Sequence, residues 1–404
     1  MRDTNLLQMA LGLTPPWTVT GADFDPDARR LDIHIDFPPG SRFACPGCGA
    51  ADCPAHDTTP MAWRHLNFFQ HQAYLNARVP RVRCKSCGVR KVAVPWARED
   101  SGFTLLFEAL IMAMIPAMPV KAAERMVGEY DTRLWRVIHH YVDEARARAD
   151  ASDVTRVAID ETAARRGHDY ISLFVDIDNA RVIHVSEGKD AATVAAFADD
   201  LTAHGGDPDQ IAEACIDMSP AFIKGVAESL PNAKITFDKF HIVKIINEAV
   251  DEVRRTERKG HVELKGTRYI WLRNPNTLSE RQRATLDALP TRTLKTARAY
   301  QIRLAFQDMY AQDCPENAAA YLKKWYFWAT HSRLPPIIDA AHTVKRHWDG
   351  ILRWFESKIA NGVIEGINSL VQAAKAKARG YRSTRNLKAM VYLIAGKLDL
   401  RRTV

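Results

Sequence analysis

Two short cysteine motifs constrain this chain more than any other feature. Cys45-Pro-Gly-Cys48-Gly and Cys84-Lys-Ser-Cys87-Gly repeat the pattern C-x-x-C-G, with 35 residues between Cys48 and Cys84. Each motif sets two sulfurs on one tight turn, and the trailing glycine accepts a left-handed backbone. Two such knuckles offer four soft ligands at tetrahedral reach, which is the set Zn²⁺ prefers. One structural Zn²⁺ on Cys45, Cys48, Cys84 and Cys87 is therefore expected. Redox cysteines or two disulfides are the competing reading; no thioredoxin-like βαβ pattern surrounds either pair, and disulfides need an oxidising compartment. Of the seven cysteines, Cys53 (with His56 nearby) could substitute as a ligand, while Cys215 and Cys314 stand alone and read as ordinary buried thiols. Between the knuckles, residues 61–66 and 73–79 read as strands of a small hairpin array.

The charge pattern points to a polyanionic partner. Lysine and arginine give a net charge of +8, unevenly spread. Residues 154–245 carry nine basic and fifteen acidic side chains, 246–350 eighteen and twelve, and 361–404 nine and two. An acidic block that holds cations, flanked by basic surfaces that hold phosphates, accounts for the pattern; a plain solvated basic face is the alternative. Around the second knuckle, Arg81, Arg83, Lys85, Arg90 and Lys91 occur within eleven residues without one acid, a rim suited to phosphates. Downstream of Phe103, apolar residues recur at helical spacing. A short helix over 120–127, Gly128 as a turn, and a longer helix over 132–148 capped by Asp131 follow in the order of a helix-turn-helix, with plain three-helix packing and no DNA contact as the alternative. Arg133 and Arg136 lie near the start of that last helix, where a recognition helix meets base edges. With 404 residues and 47% hydrophobic content, the chain can bury several cores. It has no run of eighteen uncharged apolar residues and no basic-then-apolar N-terminal stretch, so neither a membrane span nor secretion is expected.

The acidic block carries the chemistry. Residues 154–161 read as a buried strand that ends in Asp160-Glu161. Strands over 170–176 and 181–185, a helix over 191–201, a strand over 210–216, a helix over 221–230 and a strand over 234–237 follow. Three antiparallel strands, then alternating helix and strand, is the order of an RNase H-like fold. Such a fold brings Asp160 and Asp217, at two strand ends, side by side. Paired carboxylates repel unless a divalent cation neutralises them, and oxygen ligands suit Mg²⁺ or Mn²⁺. Strand alternation lets only one of Asp160 and Glu161 face Asp217. Residues 246–350 read as long helices in which Trp271, Trp325, Trp328 and Trp348 interleave with basic residues, either as core or as base-stacking surface. In the last segment Ile364, Ile367, Leu370, Val371 and Ala374 mark a helix face. Glu365 lies beside that stripe, where a carboxylate needs a partner, and Asn368 lies one turn on.

Taken together, the CPGCG and CKSCG knuckles, the helix-turn-helix, and the segments IDE, CIDMSPAF, FDKFHIVK and NGVIEGINSLVQAAKAKARGYR resemble the ISL3 family of bacterial insertion-sequence transposases along nearly the whole chain. The resemblance implies a multidomain α+β and α/β protein. Its parts are a zinc-binding DNA-binding domain (1–100), a helix-turn-helix domain (101–150), and an RNase H-like catalytic core (151–245 and 351–404) interrupted by an all-helical insertion (246–350). It implies a DDE triad of Asp160, Asp217 and Glu365 holding two Mg²⁺ or Mn²⁺ ions, supported by Asp238, His241 and Asn368. The expected activity is cleavage at the element ends and joining of the 3′-OH ends to target DNA. Lys375, Lys377, Arg379 and Arg382 are expected to contact DNA, although the run Lys-Ala-Lys-Ala-Arg departs from the more strongly basic, Arg-ending run often found in the family. Expected partners are double-stranded DNA (terminal inverted repeats and target) and a second copy of the chain. No nucleotide cofactor is expected, since G-x-x-x-x-G-K-[ST] is missing, and the expected location is the bacterial cytoplasm, on the nucleoid. A non-catalytic, domesticated DNA-binding regulator and an RNase H-like nuclease without strand transfer are the alternatives.

Overall fold

The computed structural model describes residues 3–165, 167, 169–357, 359 and 362–400. The first residue of the last motif, Asn361, lies outside them. The chain divides into two compact units: residues 3–146 with 377–379 and 398–400, and residues 147–376 with 380–397.

In the first unit, helix α1 (Asp3–Ala10) precedes six strands: β1 (Thr18–Asp25), β2 (Arg30–Asp36), β3 (Arg42–Phe43), β4 (Cys53–Phe68), β5 (His71–Cys84) and β6 (Gly88–Lys91). They form one sheet in the order β1-β2-β5-β4-β3, with β6 also on β5. The hairpin β4–β5 is its spine and runs far beyond the two short strands expected there. Alternation along it puts Trp63, Leu75, Ala77, Val79 and Val82 into the core, and each fully buried large side chain contributes about 1.5–3 kcal/mol. Strand β2 was not anticipated, although the period-two run Leu31, Ile33, Ile35 marks it. Helices α2 (Leu105–Met114), α3 (Val120–Val127) and α4 (Asp131–Ala147) follow. Thr104 caps α2, and α3 closes on Gly128 at φ 71°. A side chain at Gly128 would meet backbone strain and the Gln72 amide, 2.9 Å from a built Cβ. Asp131 is the first residue of α4 rather than the residue before it.

The second unit is built on a five-stranded sheet of β7 (Arg156–Ala163), β8 (Tyr170–Asp176), β9 (Arg181–Glu187), β10 (Glu213–Ile216) and β11 (Lys234–Phe237), in the order β11-β10-β7-β8-β9. Strands β7, β8 and β9 are antiparallel, whereas β10 and β11 run parallel to β7. Helices α5 (Ala191–Ala203) and α6 (Pro220–Ser229) make the crossovers, burying Phe197, Leu201, Phe222 and Val226. From α7 (Lys239–Glu257) onward every described element is helical: α8 (Arg268–Trp271), α9 (Glu280–Ala288), α10 (Lys295–Asp308), α11 (Pro315–Thr330), α12 (Pro335–Arg346), α13 (Trp348–Leu352), α14 (Trp354–Ser357), α15 (Gly362–Ala378) and α16 (Thr384–Ala395), with short 3-10 turns between. One continuous core runs from the sheet into these helices, through Phe237, Ile246, Val250, Phe306, Trp325 and Ile351. Trp271 and Trp325 belong to it, while Trp328 is exposed. The fold is thus multidomain α/β, and its tryptophans divide between core and surface residue by residue.

Candidate active site and zinc centre

The two knuckles converge. Cys84 ends β5, and β6 returns directly, pairing Gly88 with Cys84. Gly49 and Gly88 adopt φ of 73° and 74°, the left-handed turn that the motif's glycine permits. The sulfurs of Cys45, Cys48, Cys84 and Cys87 all lie within 4.8 Å of one another. Backbone N–H groups of Cys87 and Ser86 pull the Cys84 thiol down to about 6, whereas hydrogen bonding to Cys48 and burial push Cys87 up to about 12. Without a cation only part of this set ionises; a bound Zn²⁺ favours the thiolate at every position. Cys53 stands outside the cluster, its thiol directed at the Ala50 carbonyl. Cys215 is buried as expected, but Cys314 is half-buried at the start of α11, where its sulfur accepts from the Asn317 amide.

The acids gather by strand register. Cys215 on β10 lies opposite Ala158 on β7, and Ile216 lies opposite Phe237 on β11. Continuing those registers brings Asp217 level with Asp160 on one side and with Asp238 on the other. Asp160 lies inside β7, three residues before its end, rather than at the end as expected; Asp217 and Asp238 follow the last residues of their strands. Alternation separates the neighbours as expected: Asp160 faces His241 at 4.0 Å, whereas Glu161 turns to Lys189 at 3.5 Å. Asp238 caps α7 by accepting from the Phe240 amide at 2.7 Å and lies 3.8 Å from His241. The Asp217 carboxylate accepts from the Ser219 amide at 2.9 Å.

Helix α15 docks against β7. The Asn368 amide donates to Asp160, Gln372 donates to Thr162 at 2.5 Å, and the Lys375 ammonium donates to the Ala163 carbonyl. These residues recur at helical spacing on one stripe; Gln372 was overlooked in the sequence, though it stands one turn beyond Asn368. Glu365 heads the same helix. It is exposed, as is Leu370, while Ile364, Ile367 and Val371 are buried. The expectation that an apolar stripe would press on Glu365 is thereby corrected, because the first turn of α15 leaves it in solvent.

Burial raises the Asp160 carboxyl above the usual carboxylate range, and the field of Asp217 adds to it, against the Glu161 amide, His241 and Asn368. Burial likewise raises Asp238, with Asp160 and Glu365 contributing. The acids feel one another, yet among the described residues only the four cysteines form a group of three or more ligands all within 4.8 Å.

The basic residues divide into engaged and open. Arg81 pairs with Asp57 at 2.7 Å, and Arg83 lies 3.3 Å from His56. Arg133 pairs with Glu129 at 2.5 Å and stacks over Phe103 at 4.1 Å. Lys85, Arg90, Lys91 and Arg136 are exposed and have no ion-pair partner among the described residues, whereas Lys377 donates to the Ala117 carbonyl; Lys377, Arg379 and Arg382 are exposed at and beyond the end of α15.

Comparison with known proteins matches each part. The model of the ISL3 transposase domain covers residues 157–391, more than half of the chain. The chain belongs to the ISL3 family of transposases. The family's helix-turn-helix domain matches residues 92–142, and the zinc finger of the IS204, IS1001, IS1096 and IS1165 transposases matches 41–87. Curated relatives are the transposase of insertion element IS1557 from two strains of Mycobacterium tuberculosis, 28% identical over 97% of this chain and 96% of the relative, and that of IS1001 from Bordetella parapertussis, 27% identical over 95% and 96%. This ISL3 transposase therefore carries a structural zinc site and a DNA-binding helix-turn-helix. Among the described residues no helix is long and apolar enough to cross a membrane.

Proposed function

We propose that this chain is a DDE transposase whose RNase H-like core cuts the ends of an insertion sequence and joins them to target DNA. The sheet order β9-β8-β7-β10-β11, three antiparallel strands extended by two parallel ones, supports the RNase H-like reading. In it, residues 246–350 are a helical insertion between the second Asp and the Glu, and the domain limits are 1–100, 101–150, 151–245, 246–350 and 351–404. The observation that carries the reading is the row Asp160, Asp217, Asp238 on three adjacent strands, with α15 hydrogen-bonded alongside.

The donor set fits a divalent cation. Its groups are hard oxygens, which suit Mg²⁺ or Mn²⁺, and the Asn368 carbonyl oxygen is buried beside them without a hydrogen-bond partner among the described residues. Asp160, Asp217 and Glu365 would hold two ions, which when bound polarise a scissile phosphate and ease deprotonation of the attacking water or 3′-OH. Asp238 and His241 hold the start of α7 against Asp160 and orient it. Lys85, Arg90, Lys91 and Arg136 meet phosphates, together with Arg81, Arg83, Arg133, Lys375 and the basic end of α15 once DNA competes for their present partners. The zinc module and helix-turn-helix bind the terminal repeats as part of a dimer on paired ends, in the bacterial cytoplasm.

Incubating the protein with a repeat-end duplex and Mn²⁺ tests this. Nicking at the element end and joining of the free 3′-OH to a plasmid are expected, and Asp217→Ala should lower both by about a thousandfold or more, or roughly 4 kcal/mol of barrier, while leaving duplex binding intact. Binding without nicking would leave a regulator; nicking without a joined product would leave a nuclease.

A further inference from the structure

We infer that Asn368 is itself a ligand of the catalytic cation, giving its amide oxygen to the ion held by Asp160. The inference rests on the reading of Asp160, Asp217 and Glu365 as a divalent-cation site and adds a residue to it.

Three observations converge on this amide. Its nitrogen donates to the Asp160 carboxylate, so the side chain is directed at the central strand's acid in the row. Its oxygen is shielded from solvent and has no hydrogen-bond partner among the described residues. Its neighbours on the same helix are Glu365 one turn before and Gln372 one turn after, and Gln372 is already committed to Thr162. Buried polar atoms are almost always paired, so an orphaned acceptor calls for an explanation. The groups gathered at the site are mainly acceptors: the carboxylates of Asp160, Asp217 and Asp238. A proton donor would satisfy one of them. A divalent cation satisfies several at once, and a neutral amide oxygen is an ordinary ligand for such an ion. It also brings no further negative charge to a cluster that already repels itself. An amide has nearly the same shape after its oxygen and nitrogen exchange places, so Asn368 can hold Asp160 by its N–H when the ion is away and turn its oxygen inward when the ion arrives.

The competing role is that of a positioning residue, which only donates to Asp160. Mn²⁺ binding to the zinc-loaded full-length protein, read from the electron paramagnetic resonance signal of free Mn²⁺, separates the two. Asn368→Leu keeps the size and removes the oxygen; it should weaken Mn²⁺ binding at least tenfold. Asn368→Asp keeps an oxygen and loses the donor; it should bind Mn²⁺ as tightly as the parent or tighter, and its melting temperature should rise more on adding Mn²⁺. Asn368→Ala, which also lacks both amide atoms, serves in place of the leucine variant if that one does not fold. Equal weakening in the aspartate and leucine variants would make Asn368 a donor only, and unchanged binding in the leucine variant would leave it no role; either overturns the inference while the acids keep theirs. Asp160→Asn should abolish the same Mn²⁺ binding. If it does not, the ion sits elsewhere, and the reading of the site falls together with that of Asn368.

Discussion

The four cysteines and the row of carboxylates are both clusters of groups that repel one another when ionised, and they are built in opposite ways. Each knuckle is a single turn, and two turns complete the sulfur cluster with every ligand within 4.8 Å of the others. The acids come from three strands and a distant helix, and Glu365 stands in solvent at the head of α15. A closed, soft set is made to keep its ion as part of the fold; an open, hard set leaves positions for water and phosphate oxygens. The largest expected effect tests the closed side. Cys84→Ser should abolish zinc content and unfold the β5–β6 turn, since structural zinc supplies on the order of 10–16 kcal/mol in isolated zinc fingers. Elemental analysis, together with limited proteolysis around residues 41–91, would check it. Retention of a full equivalent of zinc would mean that Cys53 or His56 can step in, and the cluster would not be the closed set described.

The first unit also contains a buried acid with the opposite treatment from Asp160. Glu108 is fully buried, and every approach to it is a donor: Arg98 Nε at 3.0 Å to both oxygens, Ser101 Oγ at 2.6 Å and Tyr141 Oη at 2.5 Å. This ties the segment after β6 to α2 and α4. Nearby, the buried Arg64 of β4 donates to the carbonyls of Ala73 and Val127 and faces Glu129 at 3.8 Å. Around Glu108 every contact is a donor, whereas Asp160 accepts from the Glu161 and Asn368 amides and also meets the field of Asp217, as the proposed cation site requires. Glu108→Ala should therefore cost about 3–5 kcal/mol in urea or thermal unfolding of the first unit, because it leaves the Arg98 charge and the buried Tyr141 hydroxyl unpaired. A loss below about 1 kcal/mol would erase the distinction between the two acids.

How much of this the sequence made legible depends on the range of the interactions. The knuckles, the strands over 170–176 and 234–237, and the helix over 120–127 were readable because turn glycines, β-branched runs and helical spacing are local signals. Asp160 and Asp217 were readable as a pair because strand order brings them together, and register then added Asp238. Four things were not readable. The length of β4 and β5 was hidden by Pro60, Pro80 and polar residues in a strand with one face in solvent. The Glu108 and Arg64 networks join residues with no periodic relation. Exposure of Glu365 depends on where α15 begins, and helix starts are the least certain feature of a periodic pattern. The tryptophans carried no local sign of their role: Trp325 on α11 is buried with its indole N–H on the Ile302 carbonyl, while Trp328 on the same helix is exposed.

The smallest expected effect concerns stability rather than catalysis, and it sharpens the contrast at the open site. Burial holds the carboxyls of Asp160 and Asp238 above their ordinary range. In the unfolded chain they ionise near the usual value of about 4. Between that value and the raised native one, the folded state binds more protons than the unfolded state, so stability falls as pH rises through the window and stays reduced above it. The ion-free protein at neutral pH therefore carries a destabilising charge, which the cation of the proposed site would relieve. Asp238→Asn keeps the cap on α7, because asparagine caps as well as aspartate, and removes one of the repelling charges. It should stabilise the ion-free protein at pH 7 by about 1 kcal/mol, the usual scale for relaxing a strained functional site. The gain should fade toward pH 4, where the parent carboxyl is protonated in any case, and shrink when Mg²⁺ is present. Melting curves across that pH range, with and without Mg²⁺, measure it. A variant that melts lower at pH 7, or whose gain grows as pH falls, would mean that Asp238 is held as a satisfied charge, as Glu108 is, and does not belong with the open set.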